Sequence, residues 1–175
     1  MFQKGDLVTY GSKGVCRIAD ITTLNMDGIA KDRLYYEMSP VDDAGSKIYT
    51  PVDHEKSKNV MRPVLTGRQA RELIERIPML EQPWIRDDRA READYREAIS
   101  HCDTEKMMAM IKTLHQRRRE RVAQGRKLTA MDARYLKVAE NNLYEELAVV
   151  LEISENEVEV LVKEKLQAES TLKTV

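Results

Sequence analysis

A single tryptophan stands beside a group of arginines, and no other stretch of the sequence is better suited to contact a ligand. Pro83 precedes Trp84, and Arg86 and Arg89 follow it at two and five positions. A flat apolar ring beside cations can press against nucleic-acid bases while the cations hold the phosphates. The same ring can also pack a joint between two domains, and this stretch alone favours that structural role.

A second group of cations lies between residues 112 and 127, where seven Lys/Arg accompany one acidic residue. Cations near the end of a helix complement its dipole, which explains part of this run without any partner. Their number exceeds what capping requires, so a solvated face and a phosphate-binding patch are about equally supported.

No constellation of residues in the sequence supports catalysis. The GxSxG, HExxH, GxGxxG and P-loop motifs are absent. His101 and Cys102 are adjacent, but no second pair follows at zinc-ligand spacing. Cys16 falls in a predicted strand and is better explained as a small core residue. We therefore expect no enzyme, metal, cofactor or small-molecule substrate.

The composition is that of a soluble globular protein whose charge is unevenly distributed. Of its 175 residues 42% are hydrophobic and 34% charged, and no apolar run approaches the ~20 residues that span a bilayer. Residues 66–138 carry 17 Lys/Arg against 12 Asp/Glu, whereas residues 139–175 carry 3 against 9. The N-terminus has no signal-peptide hydrophobic region, and two distant cysteines suit a reducing compartment. We expect a cytoplasmic protein with a basic middle and no membrane partner.

The first third of the chain has the period near two that is typical of strands. Five strands are predicted, over residues 6–10, 15–24, 33–38, 46–52 and 60–64. In the second strand Val15, Arg17, Ala19 and Ile21 alternate against Cys16, Ile18 and Asp20. Pro51 cannot donate to a ladder and belongs at an edge or a strand end. Short, bent strands in about sixty residues predict a small SH3- or Tudor-like barrel, a fold that usually binds partners through an edge strand or a face.

From Thr66 the hydrophobic period becomes helical, which makes the whole chain α+β with a C-terminal all-α bundle. Helix starts are indicated at Thr66, near Ile85, and at Asp103, Thr129 and Ser154. A start near Ile85 would place Trp84 in the first turn of its helix. The predicted organisation is a β domain over residues 1–65, a helix and linker over 66–83, and a helical domain over 84–175.

With these residues in hand, the chain resembles the CarD/CdnL family of bacterial transcription regulators. The shared motifs are the Lys4-Gly5-Asp6-Leu7-Val8 start with Tyr10 and Gly14, Tyr49-Thr50-Pro51-Val52, Met61-Arg62-Pro63-Val64, the Trp84 segment, the Arg117–Arg121 run, Gly125 with Leu128-Thr129, and Leu143–Ala148. They occur in order along nearly the whole chain. Tyr49 stands where some relatives carry an arginine, and the stretch after Trp84 is about four residues longer than in some relatives.

The resemblance implies a Tudor-like domain that docks on the RNA polymerase β subunit and a helical domain that contacts promoter DNA. Trp84 then corresponds to the family's minor-groove wedge at the upstream edge of the bubble, which stabilises the open complex without reading sequence. The polymerase contact would involve Tyr49, Thr50 and Pro51. The cations on matching segments that would contact DNA are Arg86, Arg89, Arg117, Arg118, Arg121, Arg126 and Lys127.

Two other interpretations stand beside this one, of which the first remains open and the second fails. In the first, the protein is an adaptor whose basic helix meets an acidic protein partner and whose Trp84 is purely structural. In the second, the barrel is the polymerase-binding part of a transcription-repair coupling translocase, but the sequence has no helicase motifs and is too short for one.

Overall fold

A computed structural model describes residues 1–53 and 60–172, and it has the expected α+β architecture. Its N-terminal part is a five-stranded antiparallel sheet in the order β4-β3-β2-β1-β5. The strands are β1 (Leu7–Tyr10), β2 (Val15–Thr23), β3 (Leu34–Pro40), β4 (Ile48–Pro51) and β5 (Met61–Pro63). All five predicted strands are therefore confirmed to within two residues at most ends. The edges of this sheet are β4 and β5, and Pro51 ends an edge strand as expected.

The simple alternation predicted for β2 is wrong beyond Ile18. The pairing of β2 with β3 shifts register between Ile18 and Asp20. A bulge of this kind adds one residue to a strand and moves the following side chains to the opposite face. Ile21 consequently packs with Cys16 and Ile18 in the core of the sheet, although its place in the sequence alternates against them.

Five helices follow the sheet, and four of them begin where the sequence indicated. They are α1 (Gly67–Arg76), α2 (Asp88–Ser100), α3 (Thr104–Ala123), α4 (Ala130–Leu151) and α5 (Glu155–Leu172), with short 3-10 turns at Gly11–Lys13 and Ile77–Met79. The side chains of Thr66, Asp103, Thr129 and Ser154 accept hydrogen bonds from backbone N–H groups of the first turns. Each cap satisfies donors that a helix start leaves unpaired.

The start of α2 differs from the prediction. Asp87 caps this helix by accepting a hydrogen bond from Ala90 N, so the first helical residue is Asp88 rather than a residue near Ile85. Trp84 therefore lies in the irregular segment before the helix and not in its first turn.

The helices share one hydrophobic core, to which α1 contributes as fully as the later helices. Ala70 of α1 is completely buried, as is Ile77 in the 3-10 turn that follows it. The same holds for Met110, Leu136 and Val162 from α3, α4 and α5. The division at residues 66 and 84 remains a prediction. Among the described residues, no helix combines the length and the apolar character needed to cross a bilayer.

A buried ion pair joins the sheet to the helices. Arg62 on β5 makes a bidentate contact with Glu146 on α4, with both N–O distances at 2.7 Å. Glu146, only 1% exposed, also accepts a hydrogen bond from Leu65 N at 2.8 Å, and Arg62 Nε donates to Cys102 O at 2.7 Å. A bidentate Arg–carboxylate pair fixes orientation as well as distance, so this contact holds the β5 edge against the helices.

Candidate nucleic-acid interface

Trp84 lies at the edge of the helical core, and the guanidinium groups of two arginines lie near its ring. The ring is half-buried and packs against the core. The Cζ atoms of Arg91 and Arg117 lie 4.5 Å and 4.8 Å from its centroid, within the range of cation–π attraction. The segment before α2 thus presents a partly exposed aromatic ring between cations from α2 and α3.

Arg91 fixes the backbone that carries Trp84. Its side chain is 4% exposed, and its Nη1 donates to Ile85 O at 2.9 Å and to Arg86 O at 3.3 Å. Its Nη2 reaches Asp88 Oδ1 at 2.8 Å. These contacts hold the two residues that follow the tryptophan, because a guanidinium can engage several acceptors in one plane.

The other end of this network is Asp132, in the first turn of α4. Its carboxylate accepts from Arg91 Nε at 3.0 Å and from Tyr95 OH at 3.0 Å. Thr129 Oγ1 donates to the same carboxylate at 2.8 Å. Burial, with the Asp132 carboxylate nearby, raises the pKa of Tyr95, so its hydroxyl stays a donor. The position of Trp84 is therefore tied to the start of α4.

Three of the predicted cations continue from Trp84 along α3. Arg121 lies one helical turn beyond Arg117, on the same side of the helix. Its Nε donates to Lys127 O at 2.6 Å, which folds the turn after α3 back onto the helix. Trp84, Arg117, Arg121 and Lys127 thus form a continuous surface, which we call the basic face.

The remaining predicted cations are exposed, though only one of them lines the space beside the tryptophan. Arg86 borders a cavity of about 460 Å³ together with Trp84, Arg117 and the Arg91–Asp88 pair. The side chains of Arg86, Arg89, Arg118, Arg126 and Lys127 are solvent-exposed and make no ion pair with the described part of the chain. Their charges are accordingly open to an external anion.

One cation of the basic run has a structural role. Lys112 is buried, and its Nζ donates to Pro78 O at 2.8 Å and to Leu80 O at 2.7 Å. Because Pro78 lies within the 3-10 turn at Ile77–Met79 and Leu80 follows it directly, the ammonium group closes the end of that turn. Part of the run from 112 to 127 therefore serves the fold itself.

The predicted polymerase contact lies on the edge strand β4. Tyr49 is 39% exposed, and its hydroxyl donates to Glu37 Oε2 at 3.3 Å. Thr50 is buried and Pro51 is half-buried. Arg62 ties the other edge, β5, to the helices, whereas β4 pairs with β3 and with no other strand that the structure describes. An exposed edge strand can accept another strand or a flat protein surface.

The cysteines are buried in the part of the chain that the structure describes. Cys16 is completely buried, and burial raises the pKa of its thiol to about 12, as suits the core residue expected from the sequence. Within residues 1–53 and 60–172, no cluster of three His, Cys, Asp or Glu side chains is arranged to hold a metal.

The sequence interpretation missed Arg91 and Asp132. Arg91 lies in a helix rich in charged residues, and nothing in the sequence indicates that this arginine is buried while its neighbours are exposed. A usable signal was the pairing of an N-cap with its third residue: Thr129 followed by Asp132 is a capping pattern whose carboxylate points toward the helix start.

Comparison with known proteins identifies the N-terminal part of the chain. Residues 2–65 match the family model described as the CarD-like/TRCF RID domain, in agreement with the resemblance to CarD/CdnL proteins. The family is one of protein-interaction domains that bind the RNA polymerase β subunit. No curated protein matches the chain.

Proposed function

We propose that this protein is a transcription regulator that stabilises the promoter open complex, because residues 2–65 match the family model of the CarD-like/TRCF RID domain. In this proposal the sheet binds the RNA polymerase β subunit and the basic face contacts promoter DNA. The match supports the coarser statement of an RNA polymerase-interacting, transcription-associated protein. The DNA contact and its consequence for the open complex are our inference.

The polymerase contact is assigned to β4, through Tyr49, Thr50 and Pro51. What supports it is exposure: β4 is the sheet edge that the helices leave open, and Tyr49 projects from it. A tyrosine that is partly exposed before binding offers a large contact area at low entropic cost, which is typical of interface anchors.

The DNA contact rests on one observation, the partly exposed Trp84 ring with two guanidinium groups within 5 Å of its centroid. Apolar wedges that enter the minor groove exploit a base step that is already unstacked, such as the edge of a melted bubble. Arg86 and Arg117 lie beside the ring. The positive surface is extended by Arg89, Arg118, Arg121, Arg126 and Lys127. Such cations hold phosphates and carry no sequence information.

The DNA contact needs only a small difference in binding free energy between the open and the closed promoter complex. A ligand shifts an equilibrium by its differential affinity for the two states, so ~1.4 kcal/mol in favour of the open complex changes the open/closed ratio about tenfold. One wedge and a few phosphate contacts are sufficient for that difference. No enzymatic step, cofactor or small-molecule substrate enters this function.

The adaptor hypothesis predicts a different behaviour for the same residues. If Trp84 is only structural, its removal lowers stability and any functional loss follows the loss of fold. The half-buried position of the ring makes some destabilisation certain under either hypothesis, because it packs against the core. The experiment must therefore separate stability from function.

The test is the lifetime of a promoter open complex formed by cognate RNA polymerase, with and without the protein. We expect wild type to lengthen the lifetime and Trp84→Ala to lose most of that effect while retaining a native circular dichroism spectrum. Val162→Ala, which removes packing from α5 in the same core, is the matched control. It lowers the melting temperature without touching the basic face and should retain the effect. Equal losses in both variants would support the adaptor hypothesis, and no effect of wild type would remove the transcription proposal.

A further inference from the structure

A cavity of about 510 Å³ lies between the sheet and the helices, away from the basic face. One wall is the 3-10 turn after β1, from Tyr10 to Lys13, and the other is formed by α2 and α4. Its floor is mainly apolar, with Ile99, Tyr135 and Val138 among the lining residues. Ligand pockets typically have volumes of about 300–1,000 Å³ and often occur where two structural units meet.

The mouth of this cavity carries three cations, Lys13, Arg96 and Arg134. Arg96 and Arg134 both pair with the single oxygen Glu92 Oε1, at 3.4 Å and 3.0 Å. Tyr135 OH donates to that same oxygen at 3.0 Å, and this hydrogen bond lowers the pKa of Glu92. One ionised carboxylate, that of Glu92, thus forms ion pairs with two guanidinium groups.

The mouth therefore retains an excess of positive charge and of donors. An arginine has five N–H donors, and each of these two arginines directs only part of its fork at Glu92. Lys13 is exposed and makes no ion pair with the residues that the structure describes. Three cations stand against one carboxylate, and the Arg134 guanidinium lies 4.9 Å from the centroid of the Tyr135 ring. An apolar floor beside this net positive charge matches a molecule that has an apolar body and an anionic group.

We propose that this junction cavity binds a small amphipathic anion, with an apolar ring-sized body on Ile99, Tyr135 and Val138 and a carboxylate, sulfonate or phosphate group at Lys13 and Arg134. No sequence motif indicates such a site, because its residues come from β1, the following turn, α2 and α4. The site is independent of the DNA and polymerase contacts proposed above.

The test uses the full chain and the fluorescent anion 8-anilino-1-naphthalenesulfonate, whose aromatic body and sulfonate fit the proposed chemistry. We expect saturable binding of one probe per chain. The mouth variant, Lys13→Gln combined with Arg134→Gln, should weaken that binding about fivefold or more, since two favourable charge contacts are lost. Binding of the uncharged analogue N-phenyl-1-naphthylamine should change by less than about twofold, because the apolar floor is intact.

Two controls locate the probe. Arg118→Gln combined with Arg126→Gln removes the same charge from the exposed cations that extend the basic face. Leu161→Gln alters a separate apolar groove formed by α5 residues and Ile153. Neither should weaken probe binding, and circular dichroism should be native for all variants, since the altered side chains are exposed. Absence of saturable binding, unchanged affinity in the mouth variant, or a loss that appears in either control would overturn the proposal.

Discussion

At the scale of single residues, the position of Trp84 depends on a charged side chain that is almost completely buried. Arg91 donates to the backbone after the tryptophan and to Asp132, and all of these acceptors lie within 3.3 Å. Removing one partner of a buried ion pair leaves an uncompensated charge, which costs more than the pair contributes. The Arg91–Asp132 pair is therefore a sensitive point of the fold as well as the support of the ring.

We expect Asp132→Asn to lower the free energy of unfolding by about 2–4 kcal/mol, because Arg91 then keeps its charge while its buried counterion is lost. Urea unfolding measures this change. Trp84 is the only tryptophan in the chain, so its fluorescence should also shift to longer wavelength in the folded variant as the ring loosens.

The control for this change is Glu97→Gln on α2, the helix of Arg91, which removes an exposed ion pair with Lys106 of α3 at 3.5 Å. Its effect should be within about 0.5 kcal/mol, as is usual for exposed pairs. Equal stability losses in the two variants would show that the Arg91–Asp132 pair has no special role.

At the scale of the elements, the two sheet edges have different surroundings. Arg62 ties β5 to the helices. Among the described strands β4 has a sheet partner on one side only, and it carries the exposed Tyr49. A row of unpaired backbone groups on an edge is a template for association unless something covers it. In the proposed function the polymerase β subunit is that cover.

Tyr49→Ala should weaken binding of the protein to the isolated RNA polymerase β subunit about tenfold, which is the typical cost of removing an aromatic anchor. Titration calorimetry measures this affinity directly. Val160→Ala, which truncates a residue of α5 that is 54% exposed, should bind like wild type. Wild-type affinity in Tyr49→Ala would move the polymerase contact away from β4.

Local sequence patterns predicted most of the helices and strands. They failed at two places, the bulge in β2 and the start of α2. The caps at Thr66, Asp103, Thr129 and Ser154 could be predicted from the sequence. At each of them a short polar side chain accepts a hydrogen bond from a backbone N–H group only a few residues away. The β2 bulge could not be predicted from the sequence. The residues around Ala19 fit either face of the strand, and the pairing with β3 determines the register. The start of α2 moved to Asp88 because Asp87 competes successfully as a cap.

The site was predictable only in part, for a related reason. Trp84 and Arg117 stand out by residue type, yet 33 positions separate them in the sequence. Their contact depends on how α2 and α3 pack, which no local pattern specifies. The burial of Arg91 depends on Asp132 in a third helix, so composition alone cannot distinguish it from its exposed neighbours.

At the scale of the whole molecule, a second carboxylate lies between the sheet and the helices. Glu145 Oε2 accepts a hydrogen bond from Val15 N at 3.0 Å, while its buried Oε1 has no hydrogen-bond partner among the described residues. Burial raises the pKa of Glu145 to about 7. Near neutral pH this group is therefore close to half-protonated at the junction.

This shift predicts a pH dependence of stability. The pKa in the folded state exceeds the ordinary value of 4.5, so the folded protein binds more protons than the unfolded chain between pH 4.5 and about 7. The contribution of Glu145 is then fully present below pH 4.5 and is lost as the pH rises through about 7. We expect this loss to be about 1–2 kcal/mol, discounted for the partial exposure of the group.

The measurement is urea unfolding of wild type and Glu145→Gln at pH 5 and pH 8. Glutamine keeps an oxygen for Val15 N and cannot ionise, so the variant should gain about 1–2 kcal/mol relative to wild type between the two pH values. Glu164→Gln, at an exposed position of α5 that is not among the charges acting on Glu145, should show no such change. Parallel profiles for wild type and Glu145→Gln would contradict the assignment.

The Arg62–Glu146 pair also determines how the two proposed contacts cooperate. Once β4 is bound to polymerase, DNA binding becomes an intramolecular event whose effective concentration is set by molecular geometry and not by the amount of free protein. The bidentate pair restricts movement of the sheet relative to the helices. The entropy cost of orienting the basic face relative to β4 is therefore met when the protein folds, and not when it binds DNA. A basic face with weak affinity for free DNA can then act strongly at a promoter, and only where polymerase already holds the protein.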